Sequence, residues 1–307
     1  MFFSFFFFLL ISAGVNGLEV PDGLEFLTEQ NAPELDIFTA PHEFPWMVSI
    51  EAYFSRSNIT FHCGASLISS RWILTTANCV VANGRRASVV IASIGKFNIG
   101  INTEPREIKQ YISSILIHPH FTVNGWGEPE SFDFALLKLN YPVEITPQVR
   151  PIELPDEYCL QTRYSNSSSI IDSCRMATVA SWNPISIDVE ENILKKIRLP
   201  IQPFIACSIT MSDTYFSISK ICAGGEDATP RSCLIGDAGD PLMCYLDESW
   251  YHIGSLSFRN TTSCVSRLEV PRVFSRTCAA LPWIRSVTGL QNTKRKYFSF
   301  FHQMLLY

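Results

Sequence analysis

The sequence has no Lys or Arg before Arg56, no Cys-x-x-Cys pair, no internal repeat and few charged residues for its length. Charged residues make up 17% of the 307 residues, below the value of about 25% for an average soluble domain, whereas 47% of the residues are hydrophobic. This composition excludes intrinsic disorder, collagen and coiled coil. The formal charge of −5 gives no reason to expect a nucleic-acid partner.

Cysteine usage points to an oxidising compartment. Ten cysteines, an even number, are spread from Cys63 to Cys278. In a chain without Cys-x-x-Cys pairs, this spacing favours a disulfide framework over a zinc site. No Asp, Glu and His cluster has the spacing of metal ligands, so we expect neither a metal nor a cofactor.

The amino-terminal seventeen residues predict a signal peptide. Residues 1–17 are almost continuously apolar and end in small and polar residues, with Val15 and Gly17 at the −3 and −1 positions of a cleavage site. This apolar segment has no basic residue at its start. It is also too short for a membrane-spanning helix, which needs about 20 apolar residues. Residues 18–36 follow as a separate segment. Three glycosylation sequons agree with a secreted glycoprotein: Asn58, Asn166 and Asn260.

The tail over residues 289–307 is basic and then aromatic. Its run of eleven residues from Tyr297 to Tyr307 is interrupted by His302 and Gln303 and cannot cross a bilayer as a helix. We expect a loosely ordered tail, and a short lipid-anchor signal is the alternative that the sequence leaves open.

The middle of the chain predicts an all-β protein. Short apolar stretches with a period of two are separated by turns rich in Gly, Pro, Asn and Ser between residues 45 and 275. Residues 141–158 are rich in proline and predict an extended connector between two β domains. Helical spacing over residues 280–287 predicts a helix that closes the fold.

Seven strings then occur in an order that resembles one family. They are FPWMVSI, CGASLISSRWILTTANC, DFALLKL, ICAGG, GDAGDPLMC, GSLSF and PRVFSRTCAALPWIR. Together they resemble the trypsin/chymotrypsin family of serine proteases over residues 37–288. The resemblance implies two six-stranded antiparallel β-barrels, an active-site cleft between them and a C-terminal helix.

The same resemblance implies a disulfide pairing that uses every cysteine. The implied pairs are Cys63–Cys79, Cys159–Cys278, Cys174–Cys244, Cys207–Cys222 and Cys233–Cys264.

Two of the three catalytic groups that the resemblance implies are missing. Asn78 stands where the family has the histidine base, and an amide has no nitrogen that accepts a proton near neutral pH. Ala238 stands where the family has the nucleophilic serine, so no acyl-enzyme can form there. Asp133 remains, and we expect it to be a hydrogen-bonded core carboxylate that accepts from the Asn78 amide.

The loop that makes the oxyanion hole in the family is altered as well. Cys233 and Ala238 are five positions apart, where the family has four, and Asp240 replaces a glycine. The segment preceding residue 37 resembles no activation sequence, so Asp237 is expected to lack the amino-terminal partner that it has in the family. We therefore expect a zymogen-like, partly mobile pocket.

Arginines replace the residues that shape the specificity pocket. Arg231 stands near the pocket floor, and Arg259 and Arg272 stand where the family has wall glycines. We expect them to fill or cap the cavity. If they converge, they would hold an acidic peptide, a carboxylate or a sulfated glycan; the alternative is that they point into solvent or pair with acidic neighbours.

The function predicted from these residues is that of a secreted, catalytically inactive serine protease homologue that binds an unknown protein partner. The alternatives are a weak or unconventional hydrolase, for which His62 is a candidate base, and a structural glycoprotein without a specific partner. The other histidines considered, His118, His120 and His252, are interpreted as structural.

Overall fold

The computed structural model describes the chain over residues 37–124, 129–156, 159, 173–182, 192–203, 205, 207–208, 218–225, 237–258 and 271–291. The predicted signal peptide, the segment 18–36 and the tail beyond Gln291 lie outside this range. Within it the chain forms an α-helix near the C-terminal end and the following strands: β1 (Met47–Phe54), β2 (Ile59–Leu67), β3 (Trp72–Thr75), β4 (Val81–Ala82), β5 (Arg85–Arg86), β6 (Val89–Ile94), β7 (Ile108–Ile117), β8 (Thr122–Val123), β9 (Pro129–Ser131), β10 (Ala135–Leu139), β11 (Met176–Ser181), β12 (Lys195–Pro200), β13 (Lys220–Ala223), β14 (Pro241–Leu246), β15 (Ser249–Phe258) and β16 (Arg272–Arg276).

The first half of the chain closes into a barrel. Its antiparallel strands follow the order β1-β2-β3-β10-β7-β6, and β6 returns to pair with β1. In strand β1, Val48, Ile50 and Ala52 are fully buried, whereas the alternating residues Ser49, Glu51 and Tyr53 are partly exposed. Because side chains alternate between the faces of a strand, this pattern places one face of β1 in the barrel core.

The second half forms another six-stranded antiparallel sheet, in the order β12-β11-β14-β15-β16-β13. Among the described residues, its two end strands meet where β12 and β13 end. An antiparallel bridge joins Ile201, directly after β12, to Ala223 at the end of β13, and the main-chain N–H of Gln202 donates to the Cys222 carbonyl at 3.0 Å. The predicted architecture is confirmed, with one fully closed barrel and a second that curls into a half-barrel.

The connector and the helix complete the fold. Residues 140–156 form turns and isolated bridges rather than a regular strand, in agreement with the predicted connector. Helix α1 (Thr277–Thr288) confirms the predicted helix and begins three residues earlier. It ends at Gly289, whose φ of 72° is the left-handed conformation that glycine adopts readily at a helix C-terminus. No helix in the described ranges is both long and apolar enough to cross a membrane.

Disulfides tie the strands together. Four of the implied pairs are bonded in the structure, with Cα–Cα distances of 5.8 to 6.4 Å: Cys63–Cys79, Cys159–Cys278, Cys174–Cys244 and Cys207–Cys222. The Cys159–Cys278 bond spans 119 residues and attaches the end of the connector to the first turn of α1. The fifth pair, Cys233–Cys264, lies outside the described residues.

Candidate functional site

Asn78 lies in a single 3₁₀ turn, Ala77–Cys79, that follows β3. Both polar ends of its side chain are engaged. Its Oδ1 accepts a hydrogen bond of 2.6 Å from the Thr76 hydroxyl, and its Nδ2 donates one of 2.6 Å to the Ser257 carbonyl. Because Ser257 belongs to β15, the Asn78 amide joins the first barrel to the second. This side chain therefore links two structural elements at the position where the family has its base.

Asp133 is buried between the two sheets, with 1% of its surface exposed. Its Oδ1 accepts from the main-chain N–H of Asn78 at 2.9 Å, and its Oδ2 accepts from the Ser257 hydroxyl at 2.7 Å. The Ala77 N–H is a third donor. The expected bond from Asn78 is thus present through the main chain, while the side-chain amide bonds to Ser257 instead.

The charge of Asp133 is not balanced by a cation. No Lys, Arg or His of the described ranges forms an ion pair with it. Burial raises the pKa of this carboxyl to about 7, and the donated hydrogen bonds from Ser257, Asn78 and Ala77 counteract only part of that rise. A histidinium facing this carboxylate would favour its ionised form, and the neutral amide of Asn78 does not.

Ala238 lies in the loop that precedes β14. Its carbonyl accepts from the Gly64 N–H at 3.0 Å, so the loop is bonded to β2 of the first barrel. The next residue, Gly239, has a φ of 87°, and a Cβ there would clash with the Gly64 carbonyl. The loop thus runs tightly against the first barrel, and at position 238 it presents a methyl group.

Asp240 is buried in this loop and bonded to its main chain. Its Oδ2 accepts from the Asp237 N–H at 2.5 Å, and only 1% of its surface is exposed. The carboxylate packs over the Cα of Gly64, where any Cβ would overlap it. The side chain that replaces a family glycine therefore fits because residue 64 is itself a glycine. Gly236, the other altered position, lies outside the described residues.

The pocket arginines are described only in part. Arg272 is half-buried at the start of β16, paired in register with Ala223. Arg231 and Arg259 lie outside the described residues, so their convergence with Arg272 stays a prediction.

His62, the candidate base of the alternative reading, is exposed. It lies on β2 opposite Glu51, and the next residue, Cys63, is buried. Within the described ranges it forms no hydrogen bond with Asn78 or Asp133. A role of His62 as a base stays a prediction.

Two of the other histidines are packed as structural residues. His118 stacks on Phe132 with ring centroids 4.6 Å apart, and burial and His120 lower its pKa to about 4. His252 is fully buried, and its Nδ1 is 2.8 Å from the Thr277 hydroxyl oxygen. Burial lowers the pKa of His252 to about 3. Both rings are neutral at pH 7.

Two contributors to the site were missed by the sequence reasoning, namely Ser257 and Gly64. Ser257 stands in the string GSLSF, which supported the resemblance, but nothing local indicates that its hydroxyl and carbonyl bond to Asp133 and Asn78. Gly64 follows Cys63 in a strand, and only its contact with Asp240 explains why a side chain is excluded. Among the described residues, no group of His, Cys, Asp and Glu could hold a metal ion.

These features define a class of protein: a closed barrel and a half-barrel that meet at Asn78, Asp133 and Ala238, the positions that the resemblance assigns to a serine protease centre. Comparisons with known proteins narrow this class. Residues 38–284 match the family described as Trypsin. The chain is 28% identical to "Serine protease 28" of Mus musculus over 258 residues, which are 80% of this chain and 85% of that protein.

Solved structures have the same fold. The one described as "HL collagenase structure at 1.7A resolution" has 25% identity and a TM-score of 0.66, covering 84% of this chain and 99% of that one. The one described as "Structure of GrC" has 22% identity and a TM-score of 0.64, covering 83% and 98%. The chain therefore belongs to the trypsin family.

Proposed function

We propose that this trypsin-family protein is a secreted homologue that does not hydrolyse peptides and acts by binding another protein. The observation that carries the proposal is the state of Asn78. Its amide donates to the Ser257 carbonyl at 2.6 Å and accepts from the Thr76 hydroxyl, so no basic nitrogen is available where proton transfer must occur.

The chemistry of the family needs three steps that these residues do not support. A hydroxyl must attack the carbonyl carbon, a base must take its proton, and a carboxylate must orient that base. Ala238 has no oxygen for the first step, and Asn78 has no lone pair of sufficient basicity for the second. Asp133 has lost the imidazole that it would orient, and it is held by main-chain and hydroxyl donors instead.

Catalysis without the triad depends on donors that stabilise the oxyanion. The loop that would supply such donors contains the Asp240 side chain, whose Oδ2 accepts from the Asp237 N–H at 2.5 Å. A carboxylate buried in this loop disfavours a second negative charge nearby. This adds to the argument from the two replaced groups.

The catalytic half of the proposal is tested with a fluorophosphonate probe and a set of ester and peptide substrates. We expect neither labelling nor turnover by the purified full-length protein under conditions where trypsin is labelled completely. Turnover that disappears in Asp133→Asn, but persists in the matched surface variant Asp247→Asn, would overturn the proposal. Labelling at any residue would do the same.

Secretion is supported by the disulfides and by the predicted signal segment. Disulfides persist in oxidising compartments, and Asn58 is an exposed sequon residue in the turn between β1 and β2. Asn166 and Asn260 lie outside the described residues. Expression of the full chain in secreting cells should release a protein that begins at residue 18 and shifts in mass after removal of N-glycans. Retention of the chain inside the cells would contradict secretion.

Binding is tested by cross-linking and affinity capture from the medium of the native tissue, with Arg272→Gly as the variant. If the pocket arginines hold an acidic partner, the variant loses that partner, whereas a surface variant such as Arg71→Ser keeps it. Equal capture by both would remove the pocket from the binding site.

A further inference from the structure

One stretch of the chain carries only positive charge. No Asp or Glu occurs between Glu51 and Glu104, although the whole protein has 29 acidic residues and a net charge of −5. The same stretch contains the following basic residues: Arg56, Arg71, Arg85, Arg86 and Lys96. It contains β2, β3 and β6 of the first barrel and the separate β4–β5 hairpin. This stretch therefore has a local charge opposite to that of the whole molecule.

Three of these arginines lie on neighbouring turns. Arg56 is in the turn between β1 and β2, and Arg85 and Arg86 form β5, one arm of the β4–β5 hairpin. Ser55 and Ser88 hold the turns together, since their hydroxyls are 2.7 Å apart and the Ser88 N–H donates to the Tyr53 carbonyl at 2.7 Å. From these links, the Cα atoms of Arg56 and Arg86 are at most about 18 Å apart.

Nothing in the described chain neutralises these side chains. All three are exposed, and none forms an ion pair or a side-chain hydrogen bond with a described residue. The nearest carboxylate along β1 is Glu51, which is engaged by the Lys109 ammonium at 3.2 Å and by the Tyr53 hydroxyl. Lys96 differs from the three arginines, because it is buried and paired with Glu107 at 2.7 Å.

We propose that Arg56, Arg85 and Arg86 form a binding site for a sulfated polysaccharide. Guanidinium groups bind oxyanions through two parallel hydrogen bonds, and closely spaced cations gain affinity from a linear polyanion by displacing its counterions. This site is separate from the altered catalytic centre, and it does not depend on whether that centre is active.

Charge density, rather than shape, favours a polysaccharide over an acidic peptide. The arginines lie along two turns at the surface. A cavity of about 700 Å³ lies elsewhere in the described part of the chain and is lined by Ile68, Ile145, Leu154 and their neighbours. That cavity lies at the opposite end of β2, next to the turn that carries Arg71. A peptide gains affinity from pockets for its side chains, whereas a sulfated chain with regularly repeated charge needs only a row of cations.

The experiment measures heparin binding by the full-length secreted protein, and again after enzymatic removal of N-glycans, which separates the effect of a glycan at Asn58 from that of the arginines. The test variant is Arg56→Ser/Arg85→Ser/Arg86→Ser. The matched control is Arg71→Ser, since Arg71 is exposed, belongs to the same acid-free stretch and lies about 27 Å away along the nine residues of β2.

We expect the triple variant to bind heparin at least about tenfold more weakly, and the slope of log K against log salt to fall by about two to three. Arg71→Ser should bind as the wild type does. Arg56→Ser alone should give a smaller loss, and it tests the site if the triple variant does not fold. Unchanged binding by the arginine variants, or an equal loss in Arg71→Ser, would overturn the proposal. Binding of polyglutamate as tight as that of heparin would assign the surface to acidic peptides and overturn it too.

Discussion

Replacing Asp133 by Asn should remove a pH dependence of stability that originates at the altered centre. Burial raises the pKa of Asp133 from 3.8 to about 7, so the folded protein keeps a proton that the unfolded chain releases. The free energy of unfolding therefore falls as the pH rises from about 4 to 7, and it levels off above that. A shift of about three units at about 1.4 kcal/mol each corresponds to about 4 kcal/mol.

Asparagine has the shape of the carboxyl group and stays neutral. In Asp133→Asn the side-chain oxygen still accepts from the Asn78 and Ala77 N–H groups, and the new NH₂ donates to the Ser257 hydroxyl. The variant should thus be close to the wild type at about pH 4 and more stable than it by a few kcal/mol at about pH 8.

The assay is urea unfolding of both proteins, with disulfides intact, at a series of pH values. The difference between their free energies of unfolding isolates Asp133, because contributions common to both proteins cancel. Asp247→Asn, in the exposed turn between β14 and β15, is the control and should show a constant difference from the wild type. A difference between Asp133→Asn and the wild type that does not change with pH would refute the reasoning.

Three further predictions concern packing and charge. Gly64→Ala should lower the free energy of unfolding by about 1–3 kcal/mol, because the added methyl group overlaps the Asp240 carboxylate. The loss should be clearly smaller in an Asp240→Gly background, and equal losses of melting temperature in both backgrounds would contradict this contact. His252→Gln should reduce the loss of stability on acidification from about pH 7 to 4 by about 3 kcal/mol, because burial lowers the pKa of His252 to about 3 and the unfolded ring gains its proton first. An acid unfolding curve unchanged by that substitution would argue against a neutral buried ring. Lys96→Met should lower the free energy of unfolding by about 3–5 kcal/mol, because it leaves the buried Glu107 carboxylate without its ammonium partner. In urea unfolding, Lys96→Met/Glu107→Leu should recover most of the lost stability. Failure of the second change to recover stability would show that the ion pair itself is stabilising.

The architecture could be predicted from local pattern and motif order. Alternation in β1 gives the buried face of the first barrel, and the family strings give the order of the strands around it. The limits of this reasoning are equally physical. In the described part of the chain, the second sheet is joined at its ends near Ile201 and Ala223, and such a bridge depends on how far the sheet curls, which no short stretch of sequence encodes.

The centre was predictable in its residue types and not in its contacts. Asn78 and Ala238 were recognised from the strings around them. The bond from Asn78 to Ser257, however, joins residues 179 positions apart, and the fit of Asp240 over Gly64 joins two barrels. Contacts of this kind arise from tertiary packing, so they cannot be predicted from periodicity or from the spacing of residues.

The bond between the Asn78 side chain and the Ser257 carbonyl also bears on any attempt to restore hydrolysis. On the proposed function, a histidine at position 78 would give up this link between the two sheets, so that single substitution would cost stability without providing a nucleophile. Reactivation would need a hydroxyl at position 238 in the same chain.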